Sequence, residues 1–597
     1  MKLNSSNLLE VPCMNKKKVI IPLLSAAILF PSAANVFAEP HKQVESVKSV
    51  EFIGMPVPAT NEEKSTMYSD AKVHVTLKDG TKKTIDLDYT PLAKPGDIIN
   101  GKIVGAAYDI NGNVITKANG EPIVSTAPDA NSLLSVNGKS GKLYMINHFE
   151  SMPSNEIGTV PRALYLNTVE QDKKTGELKI SDIEPIDFSE YGGVWTPCAA
   201  ILSPWNTHLG SEEYEPNARA HEGNPEKSSV TQFARNYYQD PNAIGNPYLY
   251  GYTTEVSVHP NGEAKAVKHH SMGRLSFENV TVAPDNRTVY YGDDGGYVMS
   301  FMYIADKEKD LSAGTLYAAK FEQTSAENGG AGNLEWIKLG HATDEEVKEL
   351  AETLSFSDIF ETTNEKEYAL ANGFSHIKTA TGEEFLKVKP GMEKAAAFLE
   401  SRRYGAILGA TSEFNKMETL TFNKADNKIY MAMSTIAKAM EENPNDPVDD
   451  IRLPKINAGG IYEMNLAERQ TDRDGNTIDS KYVATKMEAI VVGEDIPKDA
   501  EGNKAHLDKI ANPDNIVYSE NLRTLFISED TGNHVNNIGW AYDVDTKKLS
   551  RIISAPDGGE VTGIQAIDNL NGHSYLMVGS QNPGNIGYIQ LPSVDKK

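Results

Sequence analysis

From about residue 129 onward, short apolar runs alternate with clusters of Asn, Asp and Gly: Leu143–Asn147, Ala163–Leu166, Val289–Tyr291, Ile429–Met433, Leu525–Ile527 and Tyr575–Val578. Runs of this kind, bounded by turn formers, predict strands joined by tight connections and an all-β architecture. Residues 39–128 carry more polar alternation, as in Lys72-Val73-His74-Val75-Thr76-Leu77 before the Asp79-Gly80 turn. They predict a β-rich segment that either completes the main body or caps it. The period changes once. Across about 341–404, Thr343 and Glu346 supply the two halves of a capping box ahead of Val347, Leu350 and Ala351, and Met392–Leu399 is rich in Ala and Glu. A helical insertion is therefore expected inside a β body that spans 129–597.

Four segments of that body repeat one another. Each opens on a carboxylate, runs through an alternating strand and a polar turn, and returns as a second apolar strand: Glu278 to Asp294, Glu418 to Met433, Asp514 to Asp530, and Glu560 onward to Tyr575–Val578. The last two copies are one blade apart, whereas the earlier ones stand farther apart and imply insertions or skipped blades. Repeated hairpins of this kind suit a β-propeller, whose innermost strands surround a central channel. Equivalent positions of those strands lie at one height, so Glu278, Glu418, Asp514 and Glu560 would face one another. Buried carboxylates so placed repel unless cations neutralise them, which makes them candidate ligands for hard cations. The adjacent pair Glu212-Glu213 points the same way, although neighbours on a strand face opposite sides and only one should reach the channel.

Composition narrows the chemistry further. The chain of 597 residues carries a formal net charge of −25, which disfavours a nucleic-acid partner and is compatible with divalent cations. Lys16-Lys17-Lys18, the apolar run from Val19 to Phe30 and Val36-Phe37-Ala38 have the form of a secretory signal over 1–38, cut after Ala38, which places the protein outside the cytoplasm. No later stretch is apolar enough for a membrane span. Past the leader Cys198 stands alone, so no disulfide framework is expected. Asp109-x-Asn111-x-Asn113 and Asp472-x-Asp474-x-Asn476 lack the glycine of a calcium loop and read as hairpin turns. His269-His270 reads as a surface pair. P-loop, H-E-x-x-H and G-x-S-x-G patterns are absent from the sequence, so covalent serine or cysteine catalysis has no support.

The order of several short segments resembles the PhoX-type bacterial alkaline phosphatases. They are Asn147-His148-Phe149-Glu150, Ser203-Pro204-Trp205 with Glu212-Glu213, Gly273-Arg274 with Glu278, and Tyr291-Gly292-Asp293-Asp294. Further on stand Leu408-Gly409-Ala410-Thr411 ahead of Glu418, Asn512-Pro513-Asp514, Glu560-Val561-Thr562-Gly563 and Gln581-Asn582-Pro583-Gly584. The resemblance implies an exported six-bladed propeller whose iron and calcium cluster hydrolyses small phosphate monoesters. It makes Glu212, Glu213, Glu278, Glu418, Asp514 and Glu560 the metal ligands. Two positions depart from it. Ser211 stands where the resemblance places a cysteine of the iron site, so Ca2+ is expected while Fe3+ lacks its thiolate, and Cys198 is not expected to substitute. Lys416 replaces the phosphate-binding arginine, keeping the charge without the bidentate fork, and is expected to act as the catalytic cation. The residues alone leave two other uses of such a channel open: a calcium-dependent, lactonase-like hydrolase, and a non-catalytic calcium-stabilised binding propeller. They are silent on oligomeric state.

Overall fold

A computed structural model describes residues 47–136, 141–153 and 155–594; the expected leader, 1–38, lies outside them. Six strands stand innermost: Ala127–Ser135, Ala200–Leu202, Val280–Val282, Met417–Asn423, Pro513–Ser519 and Glu560–Leu570. Each touches the next and the sixth returns to the first, so they close a ring. From each, a four-stranded antiparallel meander leads outward, the arrangement of a β-propeller. In the third and fourth blades the outer edges fuse. Ala331–Thr343 pairs with Asp310–Ser325 on one side and with Val483–Val492 on the other, giving one nine-stranded sheet. The outermost strand of the sixth blade is Tyr89–Ala93, which pairs antiparallel with Asn585–Leu591 and so joins distant parts of the chain. Residues 47–86 form a three-stranded sheet whose Phe52, Val73 and Val75 pack with Phe526, Ile552 and Leu576 of the last two blades.

The inner strands are mostly buried, because each face meets a neighbouring blade and only an edge turns to the channel; Ala200–Leu202 alone is half-buried throughout. On Met417–Asn423, Met417, Leu420 and Phe422 join an apolar core, while Thr419 and Thr421 tie the next blade. The Thr419 hydroxyl donates to Asp514 O at 2.8 Å and accepts from Ile516 N at 2.6 Å. Asn279 closes a two-bond bridge with the Leu420 backbone at 2.8 and 3.1 Å. Asn515 accepts from Gly563 N at 2.9 Å, and Asn131 donates to Gly563 O at 2.9 Å. These short side chains replace the inter-strand ladder that separate blades cannot make.

The helical insertion lies between the third and fourth blades. Its first helix, Asp344–Thr353, starts at a complete capping box formed by Thr343 and Glu346. Glu393–Leu399 and Ser401–Leu408 follow, and between them and the first helix a small three-stranded sheet is folded in, spanning Phe360–Thr363, Ser375–Thr379 and Gly382–Val388. Alternation in those segments is too short to distinguish from loop in the sequence. The expectation for His269-His270 is overturned: both are buried. His269 bridges Glu255 at 2.9 Å and Asp344 at 3.0 Å, tying the second blade to the N-terminus of the first insertion helix. Asp109 and Asp472 do close hairpin turns, accepting backbone amides of Asn111, Asn113, Asp474 and Asn476. Among the described residues no helix is long and apolar enough to cross a membrane.

Candidate metal centre

One end of the channel is lined by the entrances to the six inner strands. In ring order they supply Asp129, Cys198, Glu278, Glu418, Asp514 and Glu560, one from each blade. The first five are buried and Glu560 is half-buried. Three of the acids sit where pairing with the second strand slips: between Pro128 and Asn131, Met417 and Leu420, and Pro513 and Ile516. A bulge at that point re-aims a side chain, here toward the axis. A second row stands at or just past the ends of the second strands: Glu150, Glu213, Asp294 and Asp530.

Donor atoms from the two rows converge in three overlapping sets, each within 4.8 Å: Asp129–Glu150–Cys198, Cys198–Glu213–Glu278 and Glu278–Glu418–Asp514. The Cys198 sulfur lies 3.0 Å from Asp129 Oδ2 and 3.2 Å from Glu278 Oε1, so it links the first set to the second. Glu278 links the second to the third. The expectation that Cys198 would stand aside is therefore corrected. Ser211 serves it instead, accepting from Cys198 N at 3.3 Å and donating to Ala199 O at 3.0 Å. Beneath the same segment lie two buried imidazoles. His148 Nδ1 donates to Cys198 O, since a carbonyl can only accept. Its Nε2 is then left to accept from His208 Nε2 at 2.7 Å, and His208 Nδ1 accepts from Ser132 at 2.9 Å. Burial pushes the His148 imidazole down to about 4 and His208 down as well, so both are neutral.

Glu212 does not join the cluster. Its carboxylate accepts from the buried Lys268 ammonium at 2.8 Å, from Trp195 N at 2.8 Å, and from Gly251 N and Tyr252 N at 2.9 and 3.3 Å. Two bonds to each oxygen take its lone pairs, so Glu212 is spent on the protein although it and Glu213 both lie past the end of His208–Gly210. Lys416 stands at the mouth, its ammonium 3.0 Å from Glu418 Oε1 and 3.3 Å from Asp294 Oδ1. Its backbone is in the left-handed region, φ 54°, and is held there by Lys416 N donating to Gly295 O at 2.7 Å.

The electrostatics follow from crowding. Burial, then repulsion from neighbouring acids, raises the carboxyls of Asp129, Glu213, Glu278, Asp514 and Glu560 above the ordinary range. Glu150 is pushed to about 7 by burial and Asp129. Glu418 is pushed to about 8 by burial and Asp294, with Lys416 opposing. Burial and Asp129 raise the Cys198 thiol. Asp294 is the exception: burial works against it, but Lys416, Glu213 and Tyr214 hold it low. Glu278 Oε2 is buried without a hydrogen-bond partner. An orphaned carboxylate oxygen among like charges is a poor protein contact and a good cation ligand. The donors fit bound metal: an all-oxygen set at Glu278–Glu418–Asp514 for a hard cation, and two thiol-containing sets for a softer one.

A sequence model of the family described as alkaline phosphatase PhoX matches residues 173–584. The chain belongs to the PhoX family. It is accordingly a metal-dependent phosphatase with an all-β propeller fold. The solved structure of Pseudomonas fluorescens PhoX in complex with vanadate, a transition state analogue, is similar with a TM-score of 0.57 at 18% identity, covering 91% of this chain and 97% of that one. A putative 6-phosphogluconolactonase from Bacteroides uniformis reaches a TM-score of 0.28 at 9% identity, over 86% of this chain and 97% of that one. No curated protein matches the chain in sequence.

Sequence reasoning missed Asp129, Glu150 and Cys198 as members of the donor sets, and Asp294 and Asp530 as acids beside them. A signal was present for the first: Pro128-Asp129-Ala130-Asn131 has the Pro-Asp opening of Pro513-Asp514. Asp294 and Asp530 stand just past the second strands of repeats already recognised, one hairpin away from the acids that were counted.

Proposed function

We propose that the PhoX chain hydrolyses phosphate monoesters at cations held by Asp129, Glu150, Cys198, Glu213, Glu278, Glu418, Asp514 and Glu560, with Lys416 positioning the phosphoryl group. The observation that carries this reading is the orphaned carboxylate oxygen of Glu278, a residue shared by two of the three converging donor sets. Cations seated there would neutralise the carboxylates and polarise a phosphoryl oxygen. The all-oxygen set suits Ca2+, and the sets containing Cys198 suit iron, which restores the soft donor that Ser211 could not supply. Asp294 keeps the Lys416 ammonium at the mouth, where it can donate to a phosphoryl oxygen as a point charge. A metal-loaded mouth also lets a chain of net charge −25 accept an anionic ester.

The leader over 1–38 and an extracytoplasmic location belong to the same proposal, supported by the basic, apolar and small-residue order of that stretch. The test uses residues 39–597 purified without chelator. Metal content and 4-nitrophenyl phosphate hydrolysis at alkaline pH are measured before and after chelation, and again for Cys198→Ser. Calcium and iron in the wild type, loss of turnover on chelation, and loss of iron in Cys198→Ser are expected. Bound metal without turnover after both ions are restored would overturn the reading.

A further inference from the structure

Tyr214 directly follows the buried Glu213, yet the residue is 53% exposed. Its backbone is left-handed, φ 48°, a conformation that a bulky residue adopts only when its surroundings impose it. The surroundings do so from three sides. Tyr214 N donates to Ser276 Oγ at 2.9 Å, Tyr214 O accepts from Trp195 Nε1 at 2.9 Å, and the phenol donates to Asp294 Oδ2 at 2.7 Å. Asp294 holds the Lys416 ammonium with its other oxygen at 3.3 Å. One carboxylate thus fixes a cation and an aromatic ring side by side at the mouth, with the hydroxyl turned inward and the ring left open to solvent.

If Lys416 meets the phosphoryl oxygens, the ring beside it meets what the phosphorus carries. We infer that Tyr214 is the platform for the leaving group, and that the site favours monoesters whose alcohol bears a planar ring over small aliphatic ones. The inference rests on the phosphatase reading above. A π face stacks on any planar ring without hydrogen-bond readout, so the preference is for a chemical class and not for one ester.

The test compares benzyl phosphate with glycerol 1-phosphate, both esters of primary alcohols, on the metal-loaded enzyme. Wild type, Tyr214→Ala and Tyr214→Trp are assayed, with melting temperature and metal content recorded for each. Tyr214→Ala should lower kcat/KM for benzyl phosphate about tenfold more than for glycerol 1-phosphate. Tyr214→Trp should restore most of that selectivity while lacking the phenol. An equal loss on both esters in Tyr214→Ala, or selectivity that Trp fails to restore with metal content intact, would overturn the platform. A wild type that hydrolyses neither ester would overturn the phosphatase reading and this inference with it.

Discussion

Glu212 and Glu278 show how little a residue's type says about its work. Both are buried glutamates near the channel. Glu212 spends its charge on Lys268 and three backbone amides, while Glu278 keeps one oxygen without a partner among like charges. Neutralising them should therefore have opposite effects. Glu212→Gln strands the Lys268 ammonium and should destabilise the protein by about 3–5 kcal/mol, read by denaturant unfolding, with the metal donors untouched. Glu278→Gln relieves repulsion in the chelated protein and should raise its melting temperature, while metal content and turnover fall. Equal destabilisation of the chelated forms by both would refute the distinction. The sequence separates them only in part: Glu278 opens one of the four repeats, while of Glu212 and Glu213 it predicts that one reaches the channel without saying which. The partners that separate them, Lys268 and Cys198, come from elsewhere in the chain.

At the scale of elements, the ladder that holds a blade together gives way where function begins. The slips around Asp129, Glu418 and Asp514 turn acids inward; Thr419 and Asn515, freed in the same bulges, bind the next blade, and Asn131, which ends its slip, binds the preceding one. The insertion is tied down by His269, held between Glu255 and Asp344. Burial opposes its charge, but the two carboxylates raise the imidazole to about 10. The raised folded-state value means that His269 stabilises fully below its unfolded pKa, near 6.5, and progressively less as pH rises through about 10. The melting-temperature gap between wild type and His269→Gln should thus be widest near pH 6 and narrow by pH 10. A gap that stays constant would show that His269 acts through packing alone. The strands, the repeat and the capping box at Thr343 were legible in the sequence because they are local and periodic. The burial of His269 was not, because its two carboxylate partners come from a different strand and a helix.

Across the whole molecule, stability and metal should be inseparable, since the ring's axis is lined with acids that only cations reconcile. Cations present at about 100 times their dissociation constant would add ~2.7 kcal/mol per site. Chelation should lower the melting temperature by several degrees, and restoring calcium should recover part of the loss. Unchanged melting would place the acids outside any metal site. The four repeats leave the blade count open and only the family resemblance implies six, whereas the pairing of Tyr89–Ala93 with Asn585–Leu591 is in neither, because neither strand announces its partner. That pairing sets an order of events. The donors from Asp129 to Glu560 emerge from the ribosome one blade at a time, and the sheet that shuts the circle lacks its central strands until almost the whole chain has been made. Every member of the two thiol-containing sets has been made by mid-chain, whereas the all-oxygen set waits for Asp514, so the hard-cation site is the last of the three to be completed.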